Sequence, residues 1–215
     1  MEIGRFYESQ YGTKCVFNFG ASGDLAKQII GGAPVDLFAS AAQKDMDEAD
    51  KQGHIVTVSR FGFTANSVVL ITPIGAKVSL KSFEDLRAAQ IEKIAVGNPK
   101  TVPAGRYAEE VFGSYQILSS IKEKFIYTEN VRQVLDYVSR GEVDAGVVYA
   151  TDVAARPKDI RIVATAPEAS HKPVVYPIAI VKGTKSEADA KAFISLVLSK
   201  EGKKILQKHG FKSNK

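Results

Sequence analysis

Phe17–Ser40 reads FNFGASGDLAKQIIGGAPVDLFAS. An apolar run enters a turn of small residues that carries one hydroxyl, Ser22. A short helical pattern follows over Ser22–Ile30, with Leu25, Ile29 and Ile30 on one side, and then a second apolar run, Val35–Ser40. Strand, turn, helix, strand is the building unit of an α/β sheet. The stretch decides the fold because the same layout recurs along the chain.

Apolar, β-branched runs predict strands over Cys15–Gly20, Val35–Ser40, Ser67–Thr72, Lys93–Gly97, Ala145–Ala150, Ile160–Ala164 and Val174–Lys182. Helical patterns lie between them. Ser40–Lys51 is acidic and amphipathic, and Phe83–Gln90 follows Ser82, a possible cap. Ala104–Lys124 is long and divisible at Gly113. Asn130–Arg140 sets Val131, Val134, Leu135 and Val138 at helical spacing, and Glu187–His209 is interrupted around Lys200–Gly202. The opening MEIGRFYESQYG also reads as helix. Alternation of this kind predicts an α/β protein with mainly parallel sheets and right-handed crossovers. Two long extended stretches, Asn66–Ser79 and Ser170–Gly183, read as crossings between two lobes. They assign residues 1–72 and 176–215 to lobe 1 and the inserted residues 73–175 to lobe 2.

The bulk numbers narrow the function. With 215 residues, 45% of them hydrophobic, the chain can bury one or two cores. The net charge of +5 comes from scattered Lys and Arg without a run of five, so a nucleic-acid partner is not expected. Cys15 is the single cysteine, which excludes an internal disulfide framework and a CxxC metal site. His54, His171 and His209 do not stand at zinc-site spacing. The longest apolar run, Val174–Val181, is strand-length and holds Pro177, far short of the about 20 residues that span a bilayer. The first residues are polar and charged, so the chain as written starts without an export signal.

Ligands of open α/β sheets bind beyond the C-terminal ends of strands, where helix N-termini gather. Four segments follow strand-like runs here: GASGD, KTVPAGRYAEE with Pro103 at a helix start, NVRQVL after FIYTE with Asn130 as its cap, and ATDVAA behind Tyr149. Each helix start offers N–H groups at the positive end of a dipole, and such ends bind oxyanions without a cationic side chain. Ser22 adds a hydroxyl, Tyr149 a phenol, and Ala104 and Val131 backbone N–H groups. Together these four predict a nest of neutral donors for a small, fully deprotonated oxyanion. Singly, each has an ordinary reading: a helix cap for Ser22, a proline-started helix at VPAG, packing for Tyr149, and solvent exposure for Arg106 and Arg132. No GxSxG elbow, P-loop or GxGxxG is present. Binding is therefore favoured over catalysis. An enzyme acting on a small anion would draw on Asp152 or Glu109, and a ligand-sensing domain of a regulator is the other alternative.

Phe19–Ala41, Ala95–Phe112, Asn130–Val153 and Ala164–Gly183, with their VPAG and GVVYATD segments, resemble the substrate-binding proteins of molybdate ABC transporters over nearly the whole chain. The resemblance implies a type II periplasmic binding protein: two three-layer α/β lobes with mixed, mainly parallel sheets, joined by a hinge, with the anion in the cleft. It implies an extracytoplasmic, periplasmic receptor that delivers molybdate or tungstate to a membrane permease. It implies no catalysis, no cofactor besides that ligand, no direct cation ligands, no nucleic acid and no insertion into the membrane. Ser22 matches a binding serine, Ala104 and Val131 match backbone donors, and Tyr149 matches a tyrosine donor. Family members begin with a strand and an AAASL-like turn bearing a second serine. Against that pattern Met1 falls within the first helix, so the first strand of lobe 1 and the second serine are missing from the chain as written.

Overall fold

Helix α1 (Glu2–Tyr11) opens the structure, a computed structural model that describes residues 1–213. In chain order there follow α2 (Ser22–Ile30), β1 (Leu37–Ala39), α3 (Gln43–Lys51), β2 (Phe61–Ala65), β3 (Val68–Pro73), β4 (Ile94–Gly97) and α4 (Pro103–Ser114). Then come α5 (Leu118–Ile121), β5 (Phe125–Thr128), α6 (Val131–Ser139), β6 (Ala145–Tyr149), α7 (Ala150–Val153) and β7 (Ile160–Thr165). The chain closes with β8 (Val175–Ile180), α8 (Glu187–Leu198) and α9 (Lys200–Lys208). These elements form two units, one from Met1–Ala65 with the chain from Val175 onward, the other from Asn66–Val174.

The first unit is built on the sheet β1–β8–β2, in which β8 is antiparallel to both neighbours. The period of two along β8 sorts its side chains between two cores. Ala179 and Val181 join Ala26, Ile29, Phe38, Met46 and Ala49 under α2 and α3. Ile178 and Ile180 join Ala190, Ile194 and Val197 under α8. Helix α1 is tied to α8 through Tyr7, which is buried and donates its hydroxyl to the Asp189 side chain (2.9 Å) and carbonyl (3.1 Å). Burial and the Asp189 carboxylate push the Tyr7 phenol up to about 12. Gly12, at φ 71, turns the chain out of α1 in the left-handed region that glycine tolerates.

The strand expected over Cys15–Gly20 does not form. Among the described residues it has no ladder partner, and Val16 and Phe19 are 87% and 70% exposed. The segment is held by contacts to α1 and, through Asn18 Nδ2 donating to Gln28 Oε1 (3.3 Å), to α2. The Cys15 N–H donates to Glu8 Oε1 (2.7 Å), and the Phe17 ring lies over Gly4, where a Cβ would come within 2.5 Å of it. Strand propensity expresses the fit of side chains to a paired, half-covered surface, and this run has no such surface.

The second unit carries the sheet β5–β4–β6–β3–β7. Parallel pairing is confined, among the described residues, to β5–β4–β6, while β3 runs antiparallel to both β6 and β7. Val68–Ile71 of β3 are buried on both faces, which is why that segment reads as a continuous apolar run. Val134, Leu135 and Val138 of α6 pack on Val69, Ile71, Ala95 and Val148. The crossings lie at Ala65/Asn66 and Val174/Val175 rather than at 72/73 and 175/176. The first boundary moves because β3 takes its hydrogen bonds from β6 and β7, drawing residues 66–72 into the second unit.

Two helical expectations are also corrected. Phe83–Gln90 holds only a 3-10 turn, Glu84–Arg87. Ser82 does not cap it; Asp85 within the turn ties down the approach, its Oδ2 accepting the N–H groups of Lys81 (2.7 Å) and Ser82 (3.0 Å). The helix expected over Ala104–Lys124 breaks after Ser114, where Gln116 takes φ 54.

Candidate functional site

Three parallel strands of the second unit end side by side, with Gly97 of β4 opposite Thr128 of β5, and β6 paired to the other side of β4. Within a few residues of those ends α4, α6 and α7 begin. The topology thus brings Ala104, Val131 and Tyr149 to one edge of one sheet, because parallel neighbours end on the same side.

Each of the three is positioned by a local device. Ahead of Ala104, the Val102 N–H donates to the Asn98 carbonyl (2.7 Å), and the Asn98 N–H donates across to the Thr128 carbonyl (2.8 Å). Pro103 then starts α4 without an N–H to satisfy. Gly105 lies so close to the Gly97 carbonyl that a Cβ there would overlap it. The first turn of α4 is therefore pressed onto the end of β4. The Ala104 N–H, in a residue only 1% exposed, has no protein acceptor among the described residues. Ahead of Val131, Asn130 caps α6, its Oδ1 accepting the Gln133 N–H (3.0 Å) as its sequence position predicted. Gly146 lets α6 sit on β6, since a Cβ would lie 2.7 Å from Val138 Cγ2.

Tyr149 is buried at 4% exposure and stands edge-on to Tyr107 at 6.5 Å between centroids. Its N–H donates to Asp152 Oδ2 at 3.0 Å. Burial pushes the Asp152 carboxyl up to about 6, against the opposing pull of that N–H and of the Arg132 guanidinium. Arg132 is exposed, and the Arg106 guanidinium turns back to the Pro99 carbonyl (3.4 Å). The edge presents N–H and phenol groups, with one carboxyl beside them.

Ser22 belongs to the first unit. The N-cap of α2 is Ala21, and Ser22 is the first helical residue. Its buried Oγ accepts the Ala41 N–H (2.9 Å), joining the start of α2 to the turn after β1 and leaving the hydroxyl proton to donate. The ordinary cap reading of Ser22 is thereby replaced by a long-range bridge. The glycine contact at Gly97 and Gly105 and the burial of Asp152 were not read from the sequence. The spacing VGNPKTVPAG, with a glycine on each side of a proline-started helix, is the signal that points to the first.

Two α/β units, one with helix starts gathered at its parallel strand ends, are the architecture of a solute-binding protein. The profile of the family described as bacterial extracellular solute-binding protein matches residues 1–212, and the chain belongs to that family. It is a family of binding proteins, not of enzymes. The chain is 42% identical over 194 residues to the putative ABC transporter substrate-binding lipoprotein YvgL of Bacillus subtilis, covering 90% of this chain and 74% of that protein. It is 36% identical over 215 residues to the molybdate-binding protein ModA of Escherichia coli, covering 98% and 82%. In three dimensions it is similar to the periplasmic molybdate-binding protein of Azotobacter vinelandii, with a TM-score of 0.87, 26% identity, and coverage of 100% and 94%. Among the described residues no helix is long and apolar enough to cross a membrane, and no cluster of His, Cys, Asp and Glu could hold a metal ion.

Proposed function

We propose that this chain is the extracytoplasmic receptor of a molybdate ABC transporter, taking up the dianion through neutral donors and handing it to a membrane permease. The donors are the Ser22 hydroxyl, the Ala104 and Val131 N–H groups and the Tyr149 phenol. One observation carries the reading: the buried Ala104 N–H, without an acceptor among the described residues, at the mouth of a helix pressed onto its strand by Gly105. Such a group costs about 1–3 kcal/mol unless a partner satisfies it, and an oxyanion is the partner a helix start favours. Relatives named for molybdate binding support the choice of anion.

Titration calorimetry with molybdate, tungstate, sulfate and phosphate tests the proposal. Molybdate and tungstate are expected to bind alike, because their sizes are nearly equal. Phosphate is expected to bind at least about tenfold more weakly, since near neutral pH it keeps a proton for which the four donors offer no acceptor. A chain that gives no heat with molybdate or tungstate would overturn the reading.

A further inference from the structure

We propose that Asp152 positions Tyr149 and sets the affinity of this edge, its ionised carboxylate opposing the oxyanion so that molybdate capture takes up a proton. The inference rests on the oxyanion reading above. Asp152 accepts the Tyr149 N–H through Oδ2 at 3.0 Å, which fixes the backbone from which the Tyr149 phenol projects. It does so in the first turn of α7, at the edge where α4 and α6 also begin.

The charges around it reduce the effect without cancelling it. Helix α6 contributes Arg132, whose field favours the carboxylate, and Asp136, already paired to Arg156 at 3.1 Å. Strand β6 contributes Tyr149, through its N–H. Strand β7 contributes Arg161, whose Nε donates to Thr72 Oγ1 (3.2 Å). Beyond Tyr149 stand Tyr107 and then His171, with 5.8 Å between the centroids of that last pair. Burial outweighs Arg132 and holds the free carboxyl at about 6. A dianion drawn to the same edge adds like charge and raises its proton affinity further. By linkage, binding then takes up part of a proton, and affinity falls as the pH rises above about 6.

The test is calorimetry of molybdate binding in buffers of different ionisation enthalpy, from about pH 6 to about pH 8, on the wild type, Asp152→Asn and Asp152→Ala. The wild type is expected to take up a proton on binding and to weaken about threefold to tenfold across that range. Asp152→Asn keeps an acceptor for the Tyr149 N–H, so it should bind at least as tightly at the alkaline end, with no proton uptake and a flat profile. Asp152→Ala should also be flat but weaker, because Tyr149 loses its anchor. Retention of the wild-type profile by Asp152→Asn would assign the proton to another group, His171 first, and overturn the proposal. Tight binding by the wild type that is independent of pH and buffer would overturn it while leaving the oxyanion reading intact. Absence of molybdate binding in all three would overturn both.

Discussion

Gly105, in the first turn of α4, lies against the carbonyl of Gly97 at the end of β4, closer than any side chain would allow. Gly105→Ala must therefore push α4 off the strand. The expected cost is about 1–3 kcal/mol of stability, the usual range for overpacking. Molybdate affinity should fall more than tenfold, because the Ala104 N–H moves with the helix. Gly113→Ala is the control. It lies further along the same helix with open space around its Cβ position, and should stabilise by about 0.5–1 kcal/mol with binding unchanged. Urea unfolding and calorimetry on the two variants read both effects.

Ser22→Ala removes the acceptor of the Ala41 N–H. Stability should drop by about 1 kcal/mol, because the half-buried Ala41 N–H loses its acceptor. Affinity for molybdate should drop about tenfold or more, since a hydrogen bond to a charged ligand contributes about 1.5–3 kcal/mol. Ser22→Thr retains the hydroxyl and should recover part of both. Equal molybdate affinity in Ser22→Ala would remove Ser22 from the donor set.

Asp152 also shapes stability without ligand. Its folded proton affinity, about 6, exceeds the ordinary carboxylate value of 3.8. Between those two values the folded chain holds more protons than the unfolded one, so this group makes stability fall as the pH rises through the window. Asp152→Asn should flatten the dependence of urea midpoints on pH there. A mutant slope as steep as the wild-type slope would mean that other groups set it.

Phe19 projects from a run without ladder partners and is 70% exposed, stacked on Phe17 at 5.8 Å. Exposed apolar edges promote self-association. Phe19→Ser should reduce association measured by light scattering, while changing stability by no more than about 0.5 kcal/mol. Phe17→Ala should cost more, because Phe17 covers Gly4 of α1.

Strands β3, β4, β6, β7 and β8 were legible because each is a mostly apolar, β-branched run between turn residues. The short strand β2 was missed: FGFTA contains a glycine, and its register against β8 shifts between Gly62 and Thr64. It exists because β8 offers it an edge. Helix α6 was legible down to its Asn130 cap, since a cap is a bond between neighbours in sequence. The end of α4 and the turn at Glu84–Arg87 were not, because Gln116 and Asp85 settle them through backbone geometry that periodicity does not encode.

The sequence by itself determined the alternation of strands and helices, the membership of the family, and the four residues nominated as donors. These follow from local pattern, spacing and motif. Only the tertiary structure decided that Ala104, Val131 and Tyr149 share one sheet edge, that Ser22 bridges to Ala41 instead of capping α2, and that the half-buried Asp152 carboxyl is desolvated enough to change its proton affinity. It also decided that Cys15–Gly20, the run that leads into the Ser22 turn, is no strand at all. Pattern fixes what a segment can become, whereas pairing, burial and close approach depend on atoms that the rest of the chain brings to it.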